Sequence, residues 1–180
     1  MLNKINRDMH GIRINTNGDK AGCYRELLPQ IRSLIEGEPD ATADLANVAA
    51  ALKEAFGYFW VGFYLVKDGV GASGEKELVL GPFQGPVACT RIGYGRGVCG
   101  SVWKSGKSIV VEDVEKFPGH IACSSLSRSE IVVPMICRGK NIVGVLDIDS
   151  DEVGTFDEVD RHFLEELCGI ICSIIWECEK

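Results

Sequence analysis

Eight cysteines are spread over this 180-residue chain. Three of them, Cys89, Cys99 and Cys123, sit where glycine or other small residues let the backbone come close: VACTR, GRGVCGS and GHIACSS. Glycine permits the tight turns and close approaches that reactive sites use. A thiol is a nucleophile only as the thiolate, so it needs backbone amides, a helix N-terminus or a cation beside it. Arg91, Arg96, His120 and Arg128 are candidate cations in the same region. Small residues packed in tight loops would explain each cysteine by itself; three such thiols together strengthen the case for redox chemistry.

The other five cysteines read as structural. Cys168 and Cys172 are four residues apart in a helical stretch with Cys168 on its apolar stripe, which suits small hydrophobes better than a metal pair. Cys137 falls in a strand, Cys23 near the N-terminal arm and Cys178 near the C-terminus, with no neighbours that suggest chemistry. No CxxC pair occurs, so zinc would need widely scattered ligands, and no metal is expected.

Carboxylates form the second group. In NIVGVLDID the period of two puts Val143, Val145, Asp147 and Asp149 on one strand face, with the aspartates about 6 to 7 Å apart. An apolar face that ends in two acids is either a solvated strand end or an acidic pocket, and both stay open at this level. In a buried pocket, like-charge repulsion and desolvation would raise at least one carboxyl pKa and make a proton donor. Upstream, Trp60, Gly62 and Tyr64 share one face of YFWVGFYLV while Val61, Phe63 and Leu65 share the other. Glycine between two aromatics predicts a recess, although two core aromatics would fit an isolated strand.

The elements that must hold these residues follow from periodicity. Helices are predicted from Gly22 to Glu36 and from an Asp40 N-cap to Gly57. Strands follow at Tyr58–Val66 and Glu77–Gln84, joined by the hairpin DGVGASGEK. Residues 86–128 read as short strand-like pieces, such as SIVVED, linked by glycine-rich connections. Two more strands begin at Glu130 and Asn141 around a tight turn at Gly139-Lys140, and a last helix is expected behind a capping box of Thr155 with Glu158. The result is an α+β fold, an antiparallel β-sheet flanked by α-helices. Residues 1–21 are expected to be a polar, partly disordered arm, and 22–180 a single domain.

Composition agrees with one globular domain, at 46% hydrophobic and 25% charged residues. A formal net charge of -7 disfavours nucleic acid or anionic membrane as partners. No apolar run approaches a membrane span or a secretory signal, and many cysteines without such a signal suit a reducing, cytoplasmic setting.

Taken in order, WVGFYL, GRGVCG, GHIACSS, SEIVVPM and GVLDIDS closely resemble the free methionine-(R)-sulfoxide reductase family, over about residues 22–172. The resemblance implies a GAF-like fold. It implies that Cys123 is the catalytic thiol, Cys89 the principal resolving thiol and Cys99 an auxiliary one. It further implies that Glu130, Asp147 and Asp149 bind substrate beside an aromatic pocket of Trp60 and Tyr64. The chemistry would pass through a Cys123 sulfenic acid and an intramolecular disulfide with Cys89, recycled by thioredoxin, with no metal or organic cofactor. Free methionine-(R)-sulfoxide is then the expected substrate, and a homodimer is compatible with the resemblance. The alternative is a GAF ligand-binding module, such as a cyclic-nucleotide or redox sensor; a sensor is expected to carry an output domain, which favours the enzyme.

Overall fold

A computed structural model describes residues 11–14, 19–70, 75–121, 124–139 and 141–176. Apolar residues three and four apart make the first two helices. α1 (Lys20–Ile35) buries Tyr24, Leu27, Leu28, Ile31 and Ile35 on one side. α2 (Ala41–Phe56) begins at Asp40, whose carboxylate accepts from the amides of Thr42 and Ala43 at 2.8 and 3.0 Å. It ends at Gly57, whose left-handed backbone (φ 70°) a β-carbon would strain. Both helices lie where periodicity puts them.

The strands are β1 (Trp60–Asp68), β2 (Lys76–Gln84), β3 (Arg91–Ile92), β4 (Ile109–Val111), β5 (Ser129–Cys137) and β6 (Asn141–Ser150). They form one sheet in the order β3-β2-β1-β6-β5-β4, antiparallel at every pair. Alternation divides the side chains between two faces. Val61, Phe63, Ile131, Val133, Leu146 and Ile148 point to the larger core, beneath α1, α2 and α4 (Glu158–Ile175). Trp60, Tyr64, Val132 and Val145 point to a smaller core covered by α3 (Gly97–Ser105). The expected α+β sheet with flanking helices is therefore present, and β5 and β6 form the expected hairpin. Residues 71–74 of the first hairpin and Lys140 of the second lie outside the described residues.

Three local expectations need correction. Residues 86–128 were expected to be strand-like pieces and connections, yet they contain the two-turn helix α3, whose sequence GVCGSVWKS is poor in helix formers. Tertiary packing supplies what propensity lacks: a β-carbon at Gly100 would stand 2.5 Å from the Gly93 carbonyl oxygen, so only glycine lets α3 pack this closely. The cap of α4 is Asp157, not Thr155. Asp157 Oδ1 accepts from the amides of Val159 and Asp160, and Asp160 returns the bond to the Asp157 amide at 2.9 Å. Thr155 instead donates to Ser150 Oγ at 2.7 Å, which ties the end of β6 to this connection. The β5–β6 turn also begins a residue earlier than expected, with Arg138 (φ 49°) preceding Gly139 in left-handed backbone.

Asp160 also anchors the far side of the sheet. Fully buried, it accepts from Lys20 Nζ at 2.6 Å, Tyr24 Oη at 2.8 Å and Tyr58 Oη at 3.2 Å. These bonds join α1, α4 and the start of β1, two residues before Trp60. Ile12 and Ile14 of the N-terminal arm pack against the same core, and Arg13 is paired to Gln30 through its backbone.

Candidate active site

Register brings the predicted acids together. Glu130 on β5 faces Asp149 on β6, Asp149 faces Trp60 on β1, and Asp147 faces Gly62. Direct cross-strand partners lie about 5 Å apart at Cβ, and like charges there repel. Glu130, Asp147 and Asp149 accordingly line one pocket with Trp60, Tyr64 and Cys99. The pocket encloses about 40 Å³. Of the two readings left open for the acidic strand end, the structure has the pocket.

Burial sets the protonation of these groups. Desolvation, then the neighbouring carboxylate of Asp149, push the Glu130 carboxyl well above its usual range. Asp147 is likewise pushed well up by desolvation and by Glu130 and Asp149. Asp149 is pushed up to about 6 by desolvation, with Ser127 and His120 opposing the rise. His120 Nε2 stands 3.4 Å from Glu130 Oε2. Asp147 Oδ1 is buried without a hydrogen-bond partner. Three acid groups thus share a space in which burial favours their protonated forms.

The cysteines separate clearly. Cys99, in the first turn of α3, is 3% exposed, and its thiol donates to Asp147. Desolvation and the adjoining carboxylates raise its pKa well above the ordinary value, so it is a thiol and a poor nucleophile at neutral pH. Cys89 is half-buried and disulfide-bonded, whereas Cys23, Cys99, Cys137, Cys168 and Cys172 are buried and form no disulfide. Cys168 lies in the larger core with Cys137 and Cys172, as expected for packing groups. Cys123 and Cys178 lie outside the described residues.

The aromatic pair behaves differently from expectation. No open recess remains over Gly62, because the six-membered ring of Trp60 lies across it and would collide with a β-carbon there. Trp60 stacks on Phe83 with centroids 5.4 Å apart and donates from Nε1 to the Pro86 carbonyl at 3.0 Å. Tyr64 donates to the Cys89 carbonyl at 2.9 Å. Both aromatics therefore wall the pocket and fasten the β2–β3 connection that carries Cys89. These backbone acceptors come from a loop, and residue periodicity gives no sign of them. Ser127, buried against Asp149, was also missed for want of any pattern. Of the candidate cations, His120 and the exposed Arg96 line the pocket. Arg91 instead pairs with Glu77 at 2.9 Å on the β2–β3 ladder, and Arg128 is exposed outside the lining.

Comparison with known proteins gives concordant matches. A family model described as GAF domain matches residues 40–175. GAF domain-containing protein A of Dictyostelium discoideum is 57% identical over 156 residues, covering 87% of this chain and 94% of that protein. The free methionine-R-sulfoxide reductase of Escherichia coli is 43% identical over 158 residues, covering 87% of this chain and 91% of that protein. The solved structure of free methionine-R-sulfoxide reductase from Neisseria meningitidis, in complex with its substrate, superimposes with a TM-score of 0.84 at 56% identity. It covers 91% of this chain and 93% of that one. Among the described residues no helix is long and apolar enough to cross a membrane.

The pocket acids predict an unusual response of stability to pH. A carboxyl whose folded pKa exceeds its unfolded value binds extra protons in the fold, so stability falls as pH rises between the two values. For Asp149 that window runs from 3.8 to about 6. Asp149→Asn removes the charge and keeps a hydrogen-bonding group. It should unfold at higher urea than the parent above the window, by about 2 to 3 kcal/mol. The gain should vanish as pH falls towards 4; an equal gain on both sides of the window would contradict this electrostatic account.

Proposed function

This chain belongs to the free methionine-R-sulfoxide reductase family of GAF-domain proteins, and on that premise we propose a division of labour in reducing free methionine-(R)-sulfoxide. Cys123 is the attacking thiolate, and the pocket carboxyls hold the substrate's α-ammonium and supply the proton. The observation that carries this reading is the trio of buried carboxyls, Glu130, Asp147 and Asp149, gathered in one pocket. An ammonium group is a cation that such a cluster can hold.

The three acids cannot share one role. Asp149, pushed up to about 6 with Ser127 and His120 opposing the rise, is the carboxylate that pairs with the ammonium. Glu130 and Asp147, both pushed well above the usual carboxylate range by desolvation, share a hydrogen bond, so this pair delivers the proton to the sulfoxide oxygen. Trp60 and Tyr64 wall the S-methyl end.

Electrons balance in two steps. The Cys123 sulfur attacks the sulfoxide sulfur, the protonated oxygen passes to Cys123 as the S–O bond of the substrate breaks, and methionine leaves. The substrate sulfur gains two electrons and Cys123 becomes a sulfenic acid. Cys89 then attacks that sulfur, a disulfide forms and water departs. An external dithiol of the thioredoxin type restores both thiols by exchange. A disulfide at Cys89 suits a resolving role for that thiol. Tyr64 keeps the Cys89 backbone at the pocket wall throughout.

Two outcomes are expected from one assay with dithiothreitol as reductant. Cys123→Ser should abolish reduction of free methionine-(R)-sulfoxide, because a serine hydroxyl is a far weaker nucleophile towards sulfur. Wild-type turnover in this variant would remove Cys123 from the chemistry, and binding without turnover by the parent chain would favour a ligand-binding module instead. N-acetylation of the substrate removes the ammonium and leaves a buried charge unpaired, a loss of about 2 to 5 kcal/mol. The specificity constant should therefore fall roughly 30- to several-thousand-fold; equal constants for the free and acetylated forms would eliminate the ammonium site.

A further inference from the structure

Scattered ligands do meet in this fold. Cys99 Sγ, one carboxylate oxygen of Glu130 and one of Asp147 all lie within 4.8 Å of one another, although they come from α3, β5 and β6. All three side chains are more than nine-tenths buried, at 3%, 6% and 7% exposure. A second observation points to a missing ligand: Asp147 Oδ1 has no hydrogen-bond partner in this enclosed space. A nitrogen donor is also at hand, since His120 Nε2 lies 3.4 Å from Glu130 Oε2.

We propose that Cys99, Glu130 and Asp147 bind one divalent transition-metal ion of the zinc class, which takes over the carboxyl pair that donates the proton, beside the ammonium site, and so inhibits the enzyme reversibly. The donor set selects the metal. Magnesium and calcium take six or more oxygen ligands, whereas one thiolate with two carboxylates is a zinc or cobalt set. Around a tetrahedral ion at about 2.0 to 2.3 Å, ligand atoms are roughly 3.3 to 3.8 Å apart. The three donors, within 4.8 Å of one another, therefore need to close by at most about 1 to 1.5 Å, within reach of side-chain rotation. His120 or a water completes the fourth position. Binding releases the thiol proton, and the ion supplies the positive charge that the buried carboxylates lack.

The metal site stands apart from the sulfoxide reading; only its competition with substrate rests on that reading. The test uses the full chain, kept reduced with a phosphine, and titrates it with Co²⁺ followed by absorbance and with Zn²⁺ followed by calorimetry. One ion per chain is expected, with a near-ultraviolet sulfur-to-cobalt charge-transfer band. Cys99→Ser should lose that band and weaken zinc binding at least 100-fold, while Cys123→Ser keeps both. Asp147→Asn, nearly isosteric, should keep the band and weaken zinc at least tenfold, which covers the case in which the serine variant fails to fold. A band that survives in Cys99→Ser, or zinc affinity unchanged in Asp147→Asn, overturns the site. Free methionine should weaken the zinc isotherm more than alanine, the control for chelation in solution. Equal effects of the two amino acids, with Cys99-dependent binding intact, would leave the metal site standing and overturn only its competition with substrate.

Discussion

Glu130 and Asp149 stand opposite each other on neighbouring strands, Asp147 shares their face, and the sheet holds all three carboxyls out of bulk water. Burial favours the protonated acids, with Asp149 pushed up to about 6 and the other two well above their usual range. Everything distinctive about the pocket follows from that crowding. It disfavours the thiolate of Cys99, it creates a proton donor at neutral pH, and it makes a cation the natural ligand. Burying like-charged groups together costs stability, and the larger core on the other face of the sheet provides the offset.

Two sets of contacts keep the crowding in register. On one side, Asp160 ties α1, α4 and Tyr58 together next to the start of β1. On the other, Trp60 and Tyr64 hold the backbone of Pro86 and Cys89. The strand that carries the aromatic wall is thus fixed at its beginning by a buried acid and along its length by backbone acceptors. The segment that carries Cys89 cannot move without breaking a hydrogen bond to a residue that also walls the pocket. That is how a β-sheet scaffold couples a pocket built on strands to a thiol built on a loop.

Much of this was legible because strand alternation is a strict rule. The pairing of Asp147 with Asp149 on one face, and of Trp60 with Tyr64 on one face, needed only the period of two in NIVGVLDID and WVGFY. The ordered motifs pointed to the family that the comparisons support. What failed was local chemistry decided by distant packing. GVCGSVWKS lacks helix propensity, and α3 forms because Gly100 fits against Gly93. Thr155 and Glu158 match a capping box as well as Asp157 and Asp160 do, and only the bond from Thr155 to Ser150 decides between them. The space over Gly62 looked vacant in sequence because nothing there says that Trp60 folds back across it. Whether the acids were solvated or enclosed depended on α3, the element that sequence reading missed.

The central claim, that a buried proton is exchanged for the substrate's ammonium, can be read directly as proton release on binding. Free methionine-(R)-sulfoxide would be titrated into Cys123→Ser by calorimetry at about pH 5, in buffers of different ionisation enthalpy. Neither ionisable group of the substrate head changes state there, while Asp149 is mostly protonated. The account predicts the release of close to one proton for each substrate bound, and its loss in a second chain that also carries Asp149→Asn. Binding with no net proton exchange, or with uptake, would contradict it.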